Sequence, residues 1–341
     1  MGKEEELKMW KKIFLVFFII FIPAVPFSGC SNFNKDKPSD NKNTVIAVSV
    51  IGETHDWPIG VSWYAEEEVK DIARENGWNY EFKVAADANE QSSQIINLIN
   101  KKVNCIIMLP MDGASLKTAA MAVQDAGIPL VIFDREIPDF APSATVKGDN
   151  AGIGIETADI FNGMFPDGTK VLEVMGDTST VPQQRTDGYD ETIHDNFTKE
   201  QVGYTGWRRD DSRKLFEDWV EKHGQTEIDQ VGAIFTHDDE IALGILDALD
   251  SYKADKNFPK TFDKLKVIAG SAGSQEMYRR IKSEEKYTIF SLTYSPTMVK
   301  KAIRVGESII KGEEYEEMTI IPTQEVTKRN VEKYINVNSP Y

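Results

Sequence analysis

Seven short segments gather side chains able to bind or react: Gly52-Glu-Thr-His-Asp-Trp-Pro58, Phe133-Asp-Arg-Glu136, Gln183-Gln-Arg-Thr-Asp187, Gly206-Trp-Arg-Arg209, His237-Asp-Asp-Glu240, Gly270-Ser-Ala-Gly273 and Thr293-Tyr-Ser-Pro296. They mix carboxylates, arginines and aromatic rings. Carboxylates accept from hydroxyls, arginine donates from a rigid fork, and rings pack against C–H faces, so the set suits a neutral, hydroxyl-rich ligand. A site that pairs each hydroxyl also rejects analogues lacking one, because a buried partner is then left unpaired. Reaction chemistry finds less support. There is no Gly-x-Ser-x-Gly, no P-loop and no clear Gly-x-Gly-x-x-Gly after the first strand. Asp238 and Asp239 diverge in direction, and no oxygen cluster at calcium spacing follows them, so no metal is expected. Carboxylate pairs are too common in so acidic a chain to signal glycoside hydrolysis. Each residue also has a plainer role open to it. Asp134-Arg135 could be a strand-end ion pair, Trp57 and Trp207 packing residues, and His55 and His237 structural. Trp63 and Tyr64, which begin a helix, read as core, and Asp239-Glu240 reads as the cap of the helix that follows.

The elements that must position these residues alternate. Strands are read at 44–51, 80–85, 105–109, 130–134, 170–175, 201–205, 231–236, 266–270 and 288–293. Most are near-continuous apolar runs, as in parallel strands covered on both faces. Between them lie helical spacings, such as Gln94, Ile95, Ile96, Leu98 and Ile99, or Ala119, Ala120, Ala122, Val123 and Ala126. Gly77, Gly127 and Gly224 fall where helices should end. The strands are too many for one doubly wound sheet, and the pattern restarts near Lys147-Gly-Asp-Asn150. The fold class is therefore α/β, with two similar lobes that each have a parallel sheet. Ligands of such sheets bind beyond the carboxyl ends of the strands, where the seven segments lie.

The chain of 341 residues carries 39 Lys and Arg against 55 Asp and Glu, a net charge of −16. That balance excludes a general nucleic-acid binder and charge-driven attachment to anionic lipid. Two cysteines cannot frame a disulfide scaffold, and four histidines leave little for a histidine-rich metal site. Cys105 sits in the apolar run Asn104-Cys-Ile-Ile-Met-Leu109 and reads as a buried packing residue. The leader has lysines at 3, 8, 11 and 12, then an apolar run from Ile13 to Phe27, then Ser28-Gly29-Cys30. The run is shorter than the roughly 20 residues of a membrane span. It reads as an export signal over residues 1–29. Cysteine directly after the cleavage site resembles the lipobox of bacterial lipoproteins, which makes Cys30 the acylated first residue of the mature protein. Residues 30–43 are polar and without periodicity, as a flexible tether would be. The protein is expected outside the cytoplasmic membrane, anchored to it by lipid.

Three segments carry a resemblance over essentially all of the chain beyond the tether: Ala126-Gly-Ile-Pro-Leu-Val-Ile-Phe-Asp-Arg135, Thr236-His-Asp-Asp-Glu-Ile-Ala-Leu-Gly244 and Gly306-Glu-Ser-Ile-Ile-Lys-Gly312. In these the sequence resembles the ribose/galactose-type sugar-binding receptors of bacterial ABC importers, of the type I periplasmic-binding-protein fold. The resemblance implies two Rossmann-like lobes joined by a three-crossover hinge, with sugar held between them. It implies an N-terminal lobe of residues 44–147 plus 294–322 and a C-terminal lobe of 148–293 plus 323–341. It implies that Asp134, Arg135, Arg185 and Asp238 bind hydroxyls and that Trp57 and Trp207 cover the ring faces, with His55, Asp56 and Tyr294 as further candidates. The expected partners are a neutral carbohydrate and ABC permease subunits, with no cofactor, no nucleic acid and a monomeric chain. A sensor kinase or chemoreceptor partner, or a sugar-acting enzyme, are the other readings; a repressor would need a helix-turn-helix start instead of an export signal. Two departures bear on specificity. Ala272 stands where many relatives have aspartate, so a hydroxyl acceptor is expected to be lost. Thr293-Tyr294 stands where ribose-type members have glutamine.

Overall fold

The computed structural model describes residues 43–52, 56–337, 339 and 341; Cys30 and His55 lie outside the described residues. Two six-stranded sheets organise the chain. In order, the first comprises β11-β5-β4-β3-β1-β2 and the second β12-β10-β9-β8-β6-β7. The strands of the first are β1 (Val45–Ile51), β2 (Asn79–Ala85), β3 (Cys105–Met108), β4 (Leu130–Phe133), β5 (Ala144–Gly148) and β11 (Met318–Ile321). Those of the second are β6 (Lys170–Met175), β7 (Thr198–Tyr204), β8 (Val231–Thr236), β9 (Val267–Ala272), β10 (Thr288–Thr293) and β12 (Glu325–Val326). β12 runs antiparallel to β10. All the other pairings are parallel. The five consecutive strands that begin each sheet take the same spatial order, so one architecture is built twice.

The chain passes between the sheets three times. It leaves the first after Gly148, returns after Thr293, and crosses again between Ile321 and Glu325. The first passage leads into α4 (Asn150–Met164) and the second into α10 (Met298–Lys311). The fold is thus two α/β lobes with three crossovers.

Local sequence explains most boundaries. β3, β4 and β8 are buried at every position, because helices cover both faces and no alternation is needed. Gly77 and Gly127 adopt φ of +69° and +68°, ending α1 (Asp56–Asn76) and α3 (Gly113–Asp125) in the left-handed conformation that costs glycine nothing. Gly224 behaves otherwise. With φ of −77° it opens the short α7 (Gln225–Ile228), while α6 (Arg209–Lys222) already stops at His223. β7 begins three residues earlier than its apolar residues indicate. It is an edge strand of composition TKEQVGY, part exposed along its length, so burial does not print a run. β5, β11 and β12 escape sequence reading for related reasons. β11 alternates exposed and half-buried residues at an edge, β12 has two residues, and β5 is five residues behind a proline-containing loop. Trp63 is not core: it projects from α1 with 46% of its surface exposed.

Candidate functional site

The carboxyl ends of both sheets converge on one small cavity. Its lining is Ile51, Trp57, Pro58, Asp134 and Arg135 from the first lobe, Val181, Arg185, Trp207 and Asp238 from the second, and Tyr294 from a crossover. All six principal candidates and Tyr294 therefore meet there. Asp56 does not; it is exposed at the first residue of α1.

Asp134 follows β4 directly. Its backbone turns to φ of +66°, a left-handed conformation that aspartate tolerates better than most residues. The turn is fixed by its N–H donating to the Val146 carbonyl (2.9 Å) and by the Arg135 N–H donating to Phe133 (2.9 Å). It sends the Asp134 carboxylate into the cavity, where burial raises its pKa despite the nearby Arg135 and the hydrogen bond from Tyr294. Arg135 reaches sideways. Its Nη1 donates to the Met111 carbonyl (2.5 Å), Nε lies 3.8 Å from Asp134 Oδ2, and Nη2 lies 3.3 Å from Asp177 Oδ2. Asp177 follows β6, so this last contact crosses between lobes. The Asp134-Arg135 ion pair is present, and it forms part of the cavity wall.

Arg185 projects from α5 (Thr180–Thr192) and is fully buried. Nε donates to Asn150 Oδ1 (3.0 Å), and Nη1 donates to Ser271 Oγ (2.9 Å) and to the His237 carbonyl. The guanidinium lies 4.7 Å from the Tyr294 ring centre and 5.8 Å from that of Trp207. Burial lowers its pKa, with Tyr294, Asp238 and Asp134 opposing, but an arginine remains charged. Trp207 also takes a left-handed φ, +66°, in the turn after β7. Gly176 makes room for it: a Cβ there would stand 2.3 Å from the indole. Trp57, in the first turn of α1, donates its Nε1–H to the Tyr294 carbonyl (2.8 Å), with the ring centres 5.9 Å apart.

The carboxylates after β8 divide their work differently from the sequence expectation. The cap of α8 (Asp239–Ala254) is Asp238, whose Oδ1 accepts from the Glu240 N–H (2.8 Å) while its side chain lines the cavity. Asp239 instead accepts from the Gly273 and Ser274 N–H groups (2.8 Å each) and from Ser291 (2.7 Å), tying β9 and β10 together. Burial first and Asp239 second raise Asp238 far above the ordinary carboxylate range. Beneath them His237 is buried and structural. Its Nε2 lies 3.1 Å from Glu173 Oε1, which also accepts from Thr186 (2.6 Å), while Lys199 sits 3.0 Å from Oε2. Burial works to raise Glu173, but these partners prevail and hold it at about 2.

Sequence reading missed Asn150, Ser271 and Asp177. Asn150 belongs to the segment that marks the restart of the pattern, and it joins Arg185 to Tyr294. Ser271 sits in the Gly270–Gly273 segment, noted above for what Ala272 lacks. Asp177 follows Gly176 at a strand end, the one positional clue available to it. Among the described residues no three or more His, Cys, Asp or Glu could hold a metal ion, and no helix is long and apolar enough to cross a membrane.

The comparisons agree with this architecture. The family model of the periplasmic binding protein domain matches residues 46–314. The ribose import binding protein RbsB of Bacillus subtilis is 22% identical over 71% of this chain and 75% of its own length. The xylitol-binding protein of Mycolicibacterium smegmatis is 23% identical over 72% of this chain and 67% of its own. A solute binding protein of an ABC transporter from Bacillus halodurans, solved with bound myo-inositol, superposes with a TM-score of 0.77 at 22% identity, covering 89% of this chain and all of that one. Such membership carries an extracytoplasmic location and a binding role rather than a catalytic one. With its two repeated lobes and one lined cavity at their carboxyl ends, the chain belongs to the periplasmic binding protein family.

Proposed function

We propose that this protein captures a neutral sugar or polyol between its lobes and delivers it to an ABC import permease as a monomeric, lipid-anchored receptor. The observation that carries this is the convergence of Asp134 and Arg135 with Arg185, Trp207 and Asp238 around one cavity, bridged by Trp57 and Tyr294. Acidic and basic groups nearly balance there, which suits a neutral ligand, and the rings supply apolar faces. Ribose, xylitol and myo-inositol, named for the relatives, are all of that class. Neither lobe alone surrounds a ligand, so full binding energy arises only on closure, here read as motion of residues 44–147 plus 294–322 against 148–293 plus 323–341.

The test is calorimetric titration with sugars and polyols, read also through the fluorescence of Trp57 and Trp207. Saturable binding of a neutral member, lost in Arg185→Ala, is the expected result. Tight binding of an amino acid or phosphate ester with no carbohydrate response would end this reading. For the anchor, Cys30→Ser should lose the lipid mass and the membrane fraction together; an uncleaved leader by mass spectrometry would defeat it.

A further inference from the structure

Tyr294 and Asp134 line the cavity together, and Asn150, which is not part of that lining, bonds the Tyr294 hydroxyl. Its hydroxyl donates to Asp134 Oδ1 (2.6 Å) and accepts from Asn150 Nδ2 (3.3 Å). One bond given and one received is the pairing a ligand hydroxyl would make with the same two groups. The ring is locked in place from several sides. Its own N–H donates to the Ala272 carbonyl (2.9 Å), its carbonyl accepts from Trp57, and the Arg185 guanidinium covers one face. Gly148, the last residue of β5, adds a seat: a Cβ there would lie 2.1 Å from Tyr294 Cε2, so only glycine admits the ring. A residue pinned through its backbone and seated against the ends of β5 and β9 is a fixed wall and not a swinging lid.

We infer that Tyr294 sets the length of the ligand, by supplying from the protein the hydroxyl that a longer sugar would bring to Asp134 and Asn150. A six-membered sugar ring carries hydroxyls at both ends and would need that space. The ligand class is therefore a short neutral polyhydroxyl compound of no more than five carbons, bound as an open-chain polyol or a furanose and not as a pyranose. This rests on the proposed capture of a sugar or polyol and narrows it. The wall also orders the specificity contacts: the phenol engages Asp134 Oδ1, which leaves Oδ2, 3.8 Å from Arg135 Nε, as the oxygen a ligand hydroxyl can meet.

The experiment titrates the mature chain and its Tyr294→Ala, Tyr294→Gln and Tyr294→Phe variants with glycerol, erythritol, xylitol, ribose, glucose and myo-inositol. Thermal unfolding without ligand confirms that each variant is folded, and Tyr294→Gln serves if Tyr294→Ala is not. The wild type should favour the best ligand of five carbons or fewer over glucose and myo-inositol by about tenfold or more, the scale on which a pocket discriminates by one carbon unit. Tyr294→Ala or Tyr294→Gln should reverse or erase that preference. Tyr294→Phe, which keeps the wall and loses the hydroxyl, should keep it while changing affinity. Glucose or myo-inositol binding the wild type as tightly as the shorter ligands, or an unchanged ranking in a folded Tyr294→Ala, would overturn the length rule and leave sugar capture standing. If no compound binds any of the four proteins, sugar capture fails and the rule fails with it.

Discussion

The two halves of the cavity are held by different means. On the second-lobe side Arg185 donates its hydrogen bonds to Asn150, Ser271 and the His237 carbonyl, all in its own lobe. Under it, His237, Glu173, Thr186 and Lys199 form a further buried layer. On the first-lobe side the equivalent cation, Arg135, shares its charge with Asp134 beside it and with Asp177 across the gap. Glu136, its neighbour, likewise accepts from Gln184 of the other lobe (2.6 Å). The second lobe thus carries a finished half-site, whereas the first-lobe half is completed by contact with its opposite. A half-site of the first kind gives affinity through rigidity, since its groups need no reordering. One of the second kind reports closure.

The largest expected effect tests that asymmetry directly. Arg185→Ala leaves the His237 carbonyl and the Asn150 and Ser271 side chains without their charged donor in a dry interior. Hydrogen bonds to a charge are worth about 1.5–3 kcal/mol each, and the variant no longer has to desolvate the guanidinium, so unfolding free energy in urea should fall by a net of about 3 kcal/mol even without ligand. Arg135→Ala, whose partner carboxylates face the gap between the lobes, should cost clearly less than Arg185→Ala in the ligand-free protein while still weakening binding. Equal losses of stability in the two would break the comparison.

Next is the dependence on pH, where the second lobe holds one carboxylate shifted down and two shifted up. Glu173 is depressed from 4.5 to about 2, so its stabilisation is present above pH 4.5 and is lost as pH falls towards 2. Asp239 and Glu240 are raised by burial to about 6 and about 7. Their protonated forms favour the fold, so that contribution is complete below the ordinary carboxylate values and fades as pH rises through 6 to 7. Glu240 Oε1 is buried with no hydrogen-bond partner among the described residues. Glu240→Gln should therefore flatten the decline between pH 5 and 8 and gain on the order of 1–2 kcal/mol at the upper end, reduced by solvent screening. Urea midpoints across that range decide it; an unchanged slope would remove Glu240 from the account.

A third test separates placement from contact. Gly176→Ala puts a methyl where the Trp207 indole lies, 2.3 Å from its nearest atoms, without itself lining the cavity. Trp207 must move, and ligand affinity should fall about tenfold, an aromatic contact of roughly 1–1.5 kcal/mol. Calorimetry on Gly176→Ala beside Trp207→Ala would show similar losses; full affinity in the glycine variant would mean that the ring does not cover the ligand.

What the sequence displayed follows from what burial leaves visible. The apolar runs of β3, β4 and β8 declared themselves because both faces are covered, and the strand-end rule then pointed to Asp134, Arg135, Trp207 and Asp238. The edge strands β7 and β11 were blurred or lost because one-sided exposure dilutes their pattern. Asn150, Ser271 and Asp177 were invisible for another reason. Each is a small polar residue whose role is set by a partner more than twenty residues away, and neither periodicity nor spacing encodes such a pairing. The length of Tyr294 was legible as a departure, but its seat on Gly148 is a contact across 146 positions of chain, from Gly148 to Tyr294, that only the fold brings together.

The smallest expected effect concerns Asp177, whose carboxylate meets Arg135 across the lobes and also accepts from the Trp207 side chain. Its carboxylate lies 3.3 Å from Arg135 Nη2 across the lobes, accepts from the Ser179 N–H (2.9 Å), and is absent from the cavity wall. Burial tends to raise its pKa, yet Arg135 and Ser179 outweigh that and keep it low, so it is charged at neutral pH. Asp177→Asn keeps the shape and the Ser179 contact while removing the charge that draws Arg135 across. A part-buried pair of this kind contributes about 1 kcal/mol, which shifts an open–closed equilibrium about fivefold. Ligand affinity should fall by about that factor, since only the closed form binds fully. Unfolding free energy should stay within about 0.5 kcal/mol of the wild type, because neither lobe's interior is touched. Solution scattering supplies the discriminating readout: at one subsaturating ligand concentration the variant should keep a larger radius than the wild type, and at saturation the two should coincide. A radius equal at both concentrations, with unchanged affinity, would show that the first-lobe half stands complete without its partner across the cleft.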